Sequence, residues 1–390
     1  MIYLDNNATT ALDERVLDQM LPALRHVGNS ASSHGPGNWA RGAIEVARVR
    51  VAGLTAATPQ EVIFTGGATE SNNLAIKGFT LLANDPWGAE RNQIVTCSTE
   101  HPAVRDTVLS LRESGFTLSL VGVDEEGRID LHQLREVVSN RTLLVTVMAA
   151  NNETGVLSPL SEIAEIAHGA GALFHTDATQ IMAWGPLNSA DIGIDLLSLS
   201  SHKMHGPQGV GALIVKREIQ PLLRPILHGG GHERGLRSGT ANTAGIVGFG
   251  AAAELAATDG AAAAPEVRRR RDELEGLLRL SFGSQNLVRN GPWERRAPGT
   301  LNVSFLGLEA EAVLSATPQV AMSTGSACSS GIPGPSHVLK AMGLSEERCE
   351  GAIRLSLSRD TTDLEVRDAA AAIGQGARTV QERMSMAGAE

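Results

Sequence analysis

Short apolar or β-branched runs alternate with longer segments of helical period over the first two thirds of the chain. The runs Val62–Thr65, Gln93–Cys97, Leu143–Met148, Ala172–His175, Asp195–Ser200 and Val210–Val215 predict strands. Between them, apolar residues three and four apart predict helices over 38–54, 70–82, 102–113, 130–139 and 160–169. This alternation predicts an α/β domain with a mostly parallel central sheet, because each parallel return needs a crossover. A polar loop too short for a helix joins the last two strands, so part of the sheet is expected to be antiparallel.

The pattern then changes. Ala251–Pro265 is rich in Ala and Gly with a break at Asp259-Gly260, and reads as a long helix end or an interdomain connection. Beyond it come a helix over 266–280, a strand at Thr300–Phe305, a short helix over 309–316, a small-residue loop over 323–336, a strand at Ile353–Leu357 and a final helix. This is α+β material for a second, smaller domain.

Length and composition narrow the classes. The 390 residues suit two domains, and 42% hydrophobic residues can fill a substantial core. A net charge of −10 and 3% aromatics argue against nucleic-acid partners, which need positive charge or stacking platforms. No apolar run of about 18 residues occurs and the start lacks the order of a signal peptide, so no membrane span is expected. Cys97, Cys328 and Cys349 are odd in number and far apart, which excludes a disulfide scaffold and fits a reducing, cytoplasmic setting. The run Arg268–Arg271, followed by Asp-Glu-Leu-Glu, reads as the solvated face of an amphipathic helix.

Five segments carry candidate chemistry. In Phe64–Asn73 a strand runs through Gly66-Gly67 into a helix, whose free N–H groups favour an anion; Thr69 and Ser71 add hydroxyls. In His175–Gln180, at a strand end, Asp177 can face a bound group and hold a cationic ring nitrogen. A metal is the alternative there, since His175, Asp177, His202 and His205 supply N and O donors. In Leu197–Pro207, Lys203 lies on a tight turn between buried strands, where partial desolvation makes an amine nucleophile suited to a Schiff base. In His228–Thr240, glycines are interleaved with Arg234 and Arg237, which offer charge to a phosphate or carboxylate. In Ser323–Ser336 the neighbours of Cys328 are small and polar, so an exposed thiol on a mobile loop is expected; Cys97 and Cys349 are expected to be buried.

Together these segments resemble the cysteine desulfurases of the NifS/IscS type, class-V aminotransferase relatives built on the fold-type I scaffold of pyridoxal phosphate (PLP) enzymes. The resemblance runs from Tyr3 to Arg359. It rests on Tyr3–Thr10, Gly66–Ser71, Thr99–His101, Asn151–Gly155, Asp177–Gln180, Ser200–Lys203, Gly229–Thr240, Gly325–Cys328 and Ile353-Arg354, in the family's order. It implies a large PLP-binding domain over 12–255, and a small domain from 1–11 and 256–390 that carries the Cys328 loop. Lys203 would hold PLP as a Schiff base and remove the substrate α-proton. Asp177 would pair with the pyridinium nitrogen, His101 would stack on the ring, and Gln180 would bond the ring oxygen. Thr69, Ser200 and His202 would hold the phosphate, with Thr240 reaching in from the other subunit of a homodimer, and Ala68 would also bind the cofactor.

Asn152, also beside the cofactor, and Arg354 would take the substrate carboxylate. His101 would serve as acid/base, and Cys328 would carry the sulfur of L-cysteine as a persulfide while L-alanine leaves. An iron–sulfur scaffold or another sulfur-acceptor protein is the implied partner. No resident metal is implied, although Cys328 can contact a nascent iron–sulfur cluster. Two departures are visible: Gly334 stands where relatives carry Glu, and Tyr3 is the only tyrosine. A catalytically silent scaffold and a selenocysteine lyase are the other readings.

Overall fold

The computed structural model describes residues 1–80, 91–324 and 336–387. The chain starts with β1 (Ile2–Tyr3), α1 (Glu14–Arg25) and α2 (Gly35–Thr55), followed by β2 (Val62–Thr65), α3 (Ala68–Thr80), β3 (Gln93–Cys97) and α4 (Pro102–Ser110). It continues through β4 (Thr117–Val121), α5 (Leu131–Val137), β5 (Thr142–Thr146), α6 (Leu160–Gly169), β6 (Leu173–Asp177) and α7 (Ser189–Ile192). After β7 (Leu196–Ser200) and β8 (Gly211–Val215) come α8 (Thr243–Leu255) and α9 (Ala261–Phe282). The remainder is β9 (Leu287–Arg289), β10 (Thr300–Phe305), α10 (Ala310–Ser315), β11 (Val320–Ala321), β12 (Ser323–Thr324), α11 (His337–Ala341), α12 (Glu346–Glu350), β13 (Ala352–Ser356) and α13 (Asp363–Ala387).

The central sheet has seven strands in the order β2-β8-β7-β6-β5-β3-β4. Strands β4, β3, β5, β6 and β7 are parallel, and β8 is antiparallel to both β7 and β2. The mixed sheet is therefore the expected one. Successive residues in these strands serve opposite faces: Leu197 and Leu199 pack with α2 and α8 residues such as Val51 and Phe249, whereas Leu196 packs with Leu74 and Phe79 of α3. Strand β4 lies outside the sequence expectations. It is a half-exposed edge strand, and its Leu and Val residues alone give too weak a period to declare it.

A four-stranded antiparallel sheet, β12-β13-β10-β9, packs on α9 and α13 around Leu274, Leu301, Ile353 and Ile373. The first residues of the chain join this second core. Ile2 pairs with Val320, and Leu4 is fully buried.

Two expectations are corrected. The Ala/Gly-rich stretch is no break: α8 passes through a π-turn over Ala256–Gly260 directly into α9. Gly260 is helical, and a Cβ there would lie 2.1 Å from the Ala183 carbonyl oxygen. The glycine permits close packing and does not stop the helix. The run Arg268–Arg271 is not wholly solvated either. Arg271 is 2% exposed, with Nη1 donating to the Ala297 carbonyl at 3.0 Å. At about 100° per residue, four consecutive helical positions sweep most of the circumference, so one must face inward. Cys97 and Cys349 are buried, as expected.

The segment Asn151–Gly155 joins the two sheets, with Ala297 N–H donating to the Gly155 carbonyl at 2.8 Å. Within it Glu153 is buried and accepts from Ser336 Oγ at 2.5 Å. Burial pushes this carboxyl up to about 7, partly offset by the Ser336 bond and by Arg354. Between the ordinary carboxylate range and pH 7 the folded protein therefore keeps a proton that the unfolded chain has released. Stability from this group is full below the ordinary range and is lost as pH rises through about 7. Glu153→Gln is expected to gain stability over the wild type, by about 1–3 kcal/mol at pH 8 and little at pH 5. Urea unfolding at the two pH values measures it; an advantage larger at pH 5 contradicts the assignment.

Candidate active site

Strands β6 and β7 end at Asp177 and Ser200, beside the start of α3, and a cavity of about 960 Å³ opens there. Open α/β sheets bind ligands outside such strand ends. Of the residues singled out in the sequence, Ala68, Thr69, Ser200 and His202 line this cavity, as do His101, Asn152, Asp177, Gln180 and Lys203.

Lys203 closes a 3₁₀ turn over Ser201–Lys203 between the buried strands β7 and β8. Its Nζ donates to the backbone carbonyls of Asn7 and, at 2.7 Å, Ala8. Asp177 is buried, and both its oxygens are held: Oδ1 accepts from Thr179 N–H at 3.0 Å, and Oδ2 accepts from Asn72 Nδ2 at 2.7 Å. The carboxylate is thus fixed at the cavity wall.

Asn72 was not singled out by sequence reasoning. Its signal is an asparagine in a helix interior, where its competition with backbone bonding makes it unfavourable without a specific partner. Asn72→Ala is expected to lower turnover about tenfold and stability by about 1–2 kcal/mol, through the lost bond to a buried carboxylate. Steady-state kinetics and urea unfolding check both; unchanged turnover would remove Asn72 from the site.

The other polar groups sort by local geometry. The first N–H groups of α3, from Ala68 and Thr69, have no partner inside the helix and start at the cavity wall. Ser71, expected to add a hydroxyl there, turns inward instead and bonds Thr65 Oγ1 at 2.7 Å. A Cβ at Gly211 would lie 2.7 Å from Gly67 Cα, so glycine lets this turn rest against β8.

His101 caps α4, with Nδ1 accepting from Ala103 N–H at 3.1 Å, so the neutral ring carries its proton on Nε2. Burial lowers its pKa, while the charge of Asp177 opposes the shift. His202, with Nδ1 3.1 Å from Thr9 Oγ1, is brought down to about 4 by burial and by Lys203. Both rings are neutral near pH 7.

The metal alternative fails on its donors. His175 Nδ1 lies 2.7 Å from Thr146 Oγ1 and Nε2 lies 2.9 Å from Ser198 Oγ, so both ring nitrogens are engaged within the sheet. His205 Nδ1 is 3.1 Å from the Ala11 carbonyl. Among the described residues no three His, Cys, Asp or Glu side chains converge as a metal site.

Two of the expected residues that the structure describes are not on the wall. Arg354, in β13, is fully buried behind it, with Nη1 donating to the Asn152 carbonyl at 3.2 Å. Thr240 is exposed and does not line the cavity. Cys328 lies outside the described residues. The arginines of the 228–240 segment are engaged in anchoring it. Arg237 Nε donates to Glu70 at 2.7 Å and Arg234 to the Val62 carbonyl at 2.8 Å. Glu233 accepts from Arg48 and from Phe64 N–H.

A family model described as aminotransferase class-V matches residues 2–368. The chain belongs to the class-V aminotransferase family. Among its relatives, cysteine desulfurase IscS of Anaeromyxobacter sp. (strain Fw109-5) is 48% identical over 94% of this chain and 89% of its own. That of Colwellia psychrerythraea (strain 34H / ATCC BAA-681) is 42% identical over 94% and 90%. Of solved structures, a NifS-like protein superposes with a TM-score of 0.88 at 36% identity, covering 96% of this chain and 98% of that one. SspA in complex with cysteine does so with a TM-score of 0.80 at 34% identity, covering 93% and 100%. This class-V chain therefore falls in the cysteine desulfurase group, as the sequence resemblance implies.

Class-V aminotransferases are PLP enzymes, and the cavity of this one has the donor set for that group. A fixed carboxylate suits a cationic ring nitrogen, Lys203 offers an amine to an aldehyde, and the α3 start with Ser200 and His202 suits a phosphate. Thr179 Oγ1 and Asn72 Oδ1 are buried without a partner among the described residues, which leaves polar capacity beside Asp177. Wall residues that sequence reasoning did not single out include Thr179, Met148 and Gln208, together with Ile226 and Leu227 at an apolar side.

Proposed function

We propose that this class-V enzyme is a PLP-dependent cysteine desulfurase that converts L-cysteine to L-alanine and holds the released sulfur as a persulfide on Cys328. The observation that carries this reading is the pairing, on one cavity wall, of the Lys203 amine with the doubly anchored carboxylate of Asp177. PLP, when bound, supplies an electron sink that acidifies the substrate α-carbon and loosens the bond from Cβ to sulfur. Lys203 would hold it covalently, Asp177 would keep its ring nitrogen protonated, and Ala68, Thr69, Ser200 and His202 would take its phosphate. Gln180 would bond the ring oxygen, and Thr240 of a second subunit would complete the phosphate site in a homodimer.

The protein's own groups then divide the work. Asn152 and Arg354 bind the substrate carboxylate, Lys203 takes the α-proton, and neutral His101 acts on the substrate sulfur as a proton donor from Nε2–H, because its Nδ1 is taken by the Ala103 N–H. The Cys328 thiolate attacks the substrate sulfur. An S–S bond forms as the Cβ–S bond breaks, and the three-carbon fragment takes up protons and leaves as L-alanine. The persulfide passes to an iron–sulfur scaffold or another sulfur-acceptor protein, in a cytoplasmic setting. No helix among the described residues is long and apolar enough to cross a membrane.

The test is direct. The PLP-loaded protein should release alanine and, with a thiol reductant, sulfide in equal amounts from L-cysteine. Borohydride reduction followed by peptide mass mapping should place the cofactor on Lys203; an adduct elsewhere, or no alanine, refutes the reading. A selenocysteine lyase would instead release selenide from selenocysteine while leaving cysteine intact.

A further inference from the structure

Arg354 lies in the interior of the second sheet, and a guanidinium that is fully buried needs a nearby counter-charge. Asp5 supplies one: Arg354 Nη2 donates to Asp5 Oδ1 at 2.8 Å. The backbone on either side of Asp5 is pinned to the core. Ser356 N–H donates to the Leu4 carbonyl at 2.7 Å, and Asn6 N–H donates to the Ser356 carbonyl at 3.2 Å. The Asp5 carboxylate therefore has a fixed position, yet its side chain is 22% exposed and open to water. Arg354 is thus already engaged by a carboxylate, on the side of the guanidinium next to the bond to Asn152, whose own residue reaches the cavity wall.

Resting on the reading that Arg354 takes the substrate carboxylate, we propose that Asp5 is a specificity-determining residue that occupies Arg354 as an internal carboxylate, against which the substrate carboxylate must compete. Two carboxylates beside one buried guanidinium repel each other, so each substrate carboxylate binds against the charge of Asp5. Asp5 keeps the guanidinium oriented when no ligand is bound, and it weakens the binding of every ligand that carries an α-carboxylate. Weakening of that kind raises KM more than it alters the chemical step.

The test uses the PLP-loaded protein with L-alanine and with cysteamine, an aminothiol without a carboxylate. Asp5→Asn keeps an oxygen acceptor and removes the charge. Its dissociation constant for L-alanine and its KM for L-cysteine are expected to fall about 3–10-fold, while cysteamine affinity stays within about twofold. The rise in Tm produced by L-alanine should also exceed that of the wild type, because the ligand becomes the missing counter-charge. Asp5→Glu should resemble the wild type.

Weaker or unchanged L-alanine binding in Asp5→Asn overturns the proposal even when Arg354→Gln loses affinity, the result that upholds Arg354 as the carboxylate anchor. L-alanine affinity unchanged in Arg354→Gln instead overturns that reading, and the proposal with it. Should Asp5→Asn not fold, a crystal structure of the wild type with L-alanine decides. An Arg354 shifted from Asp5 onto the ligand supports the competition, and an intact Asp5 pair with the ligand carboxylate elsewhere overturns it.

Discussion

Lys203→Ala is expected to bind PLP only reversibly, to lose it on gel filtration, and to form alanine from L-cysteine on the order of 10³–10⁴-fold more slowly. The physical reason is double use of one amine. Lys203 Nζ sits at the cavity wall on a short turn between β7 and β8, donating to the carbonyls of Asn7 and Ala8. In the proposed function that nitrogen both holds the cofactor and moves the α-proton, so one truncation removes both. The remaining contacts predict residual affinity. Asp177 stays anchored by Asn72 and Thr179, and the α3 start does not depend on Lys203. Absorbance after desalting and single-turnover alanine formation are the measurements. A variant that keeps a borohydride-trapped cofactor and full turnover would displace Lys203 from its role.

Cys328→Ala is expected to separate the two halves of the chemistry. The variant should keep its yellow colour and its borohydride adduct at Lys203, yet lose sulfide release by about 10³-fold or more, because no other nucleophile takes the sulfur. The other two cysteines are poor substitutes. Cys97 is buried in the sheet, where burial pushes its thiol up to about 11, and Cys349 is likewise raised by burial. Labelling with ³⁵S-cysteine should leave the wild type, but not the variant, with a reductant-labile label. Full turnover in Cys328→Ala would move the persulfide elsewhere and leave only the PLP chemistry of the proposal.

Particular residues show how far the sequence carried the argument. Six strands of the seven-stranded sheet were legible because β2, β3, β5, β6, β7 and β8 are short buried runs with helical spacing between them, and burial on both faces leaves little choice of residue. Lys203 and Asp177 were legible as residues at strand ends, and His101 only through the family resemblance; all three line the cavity. Edge strand β4 was not legible, since an edge is under weaker compositional constraint. The Arg268–Arg271 run misled for the opposite reason: charge predicts solvent exposure, but helical geometry turned Arg271 inward onto the Ala297 carbonyl.

By itself, the sequence determined the order of elements, the mixed central sheet and the residue types at the strand ends, because these follow from local period and backbone sterics. Only the tertiary structure decided which of those residues meet. It set Asn72 against Asp177 across 105 positions and Asp5 against Arg354 across 349, and it engaged both nitrogens of His175 within the sheet. Such pairings depend on how separate elements pack, and no local pattern in the chain records the partner of a buried charge.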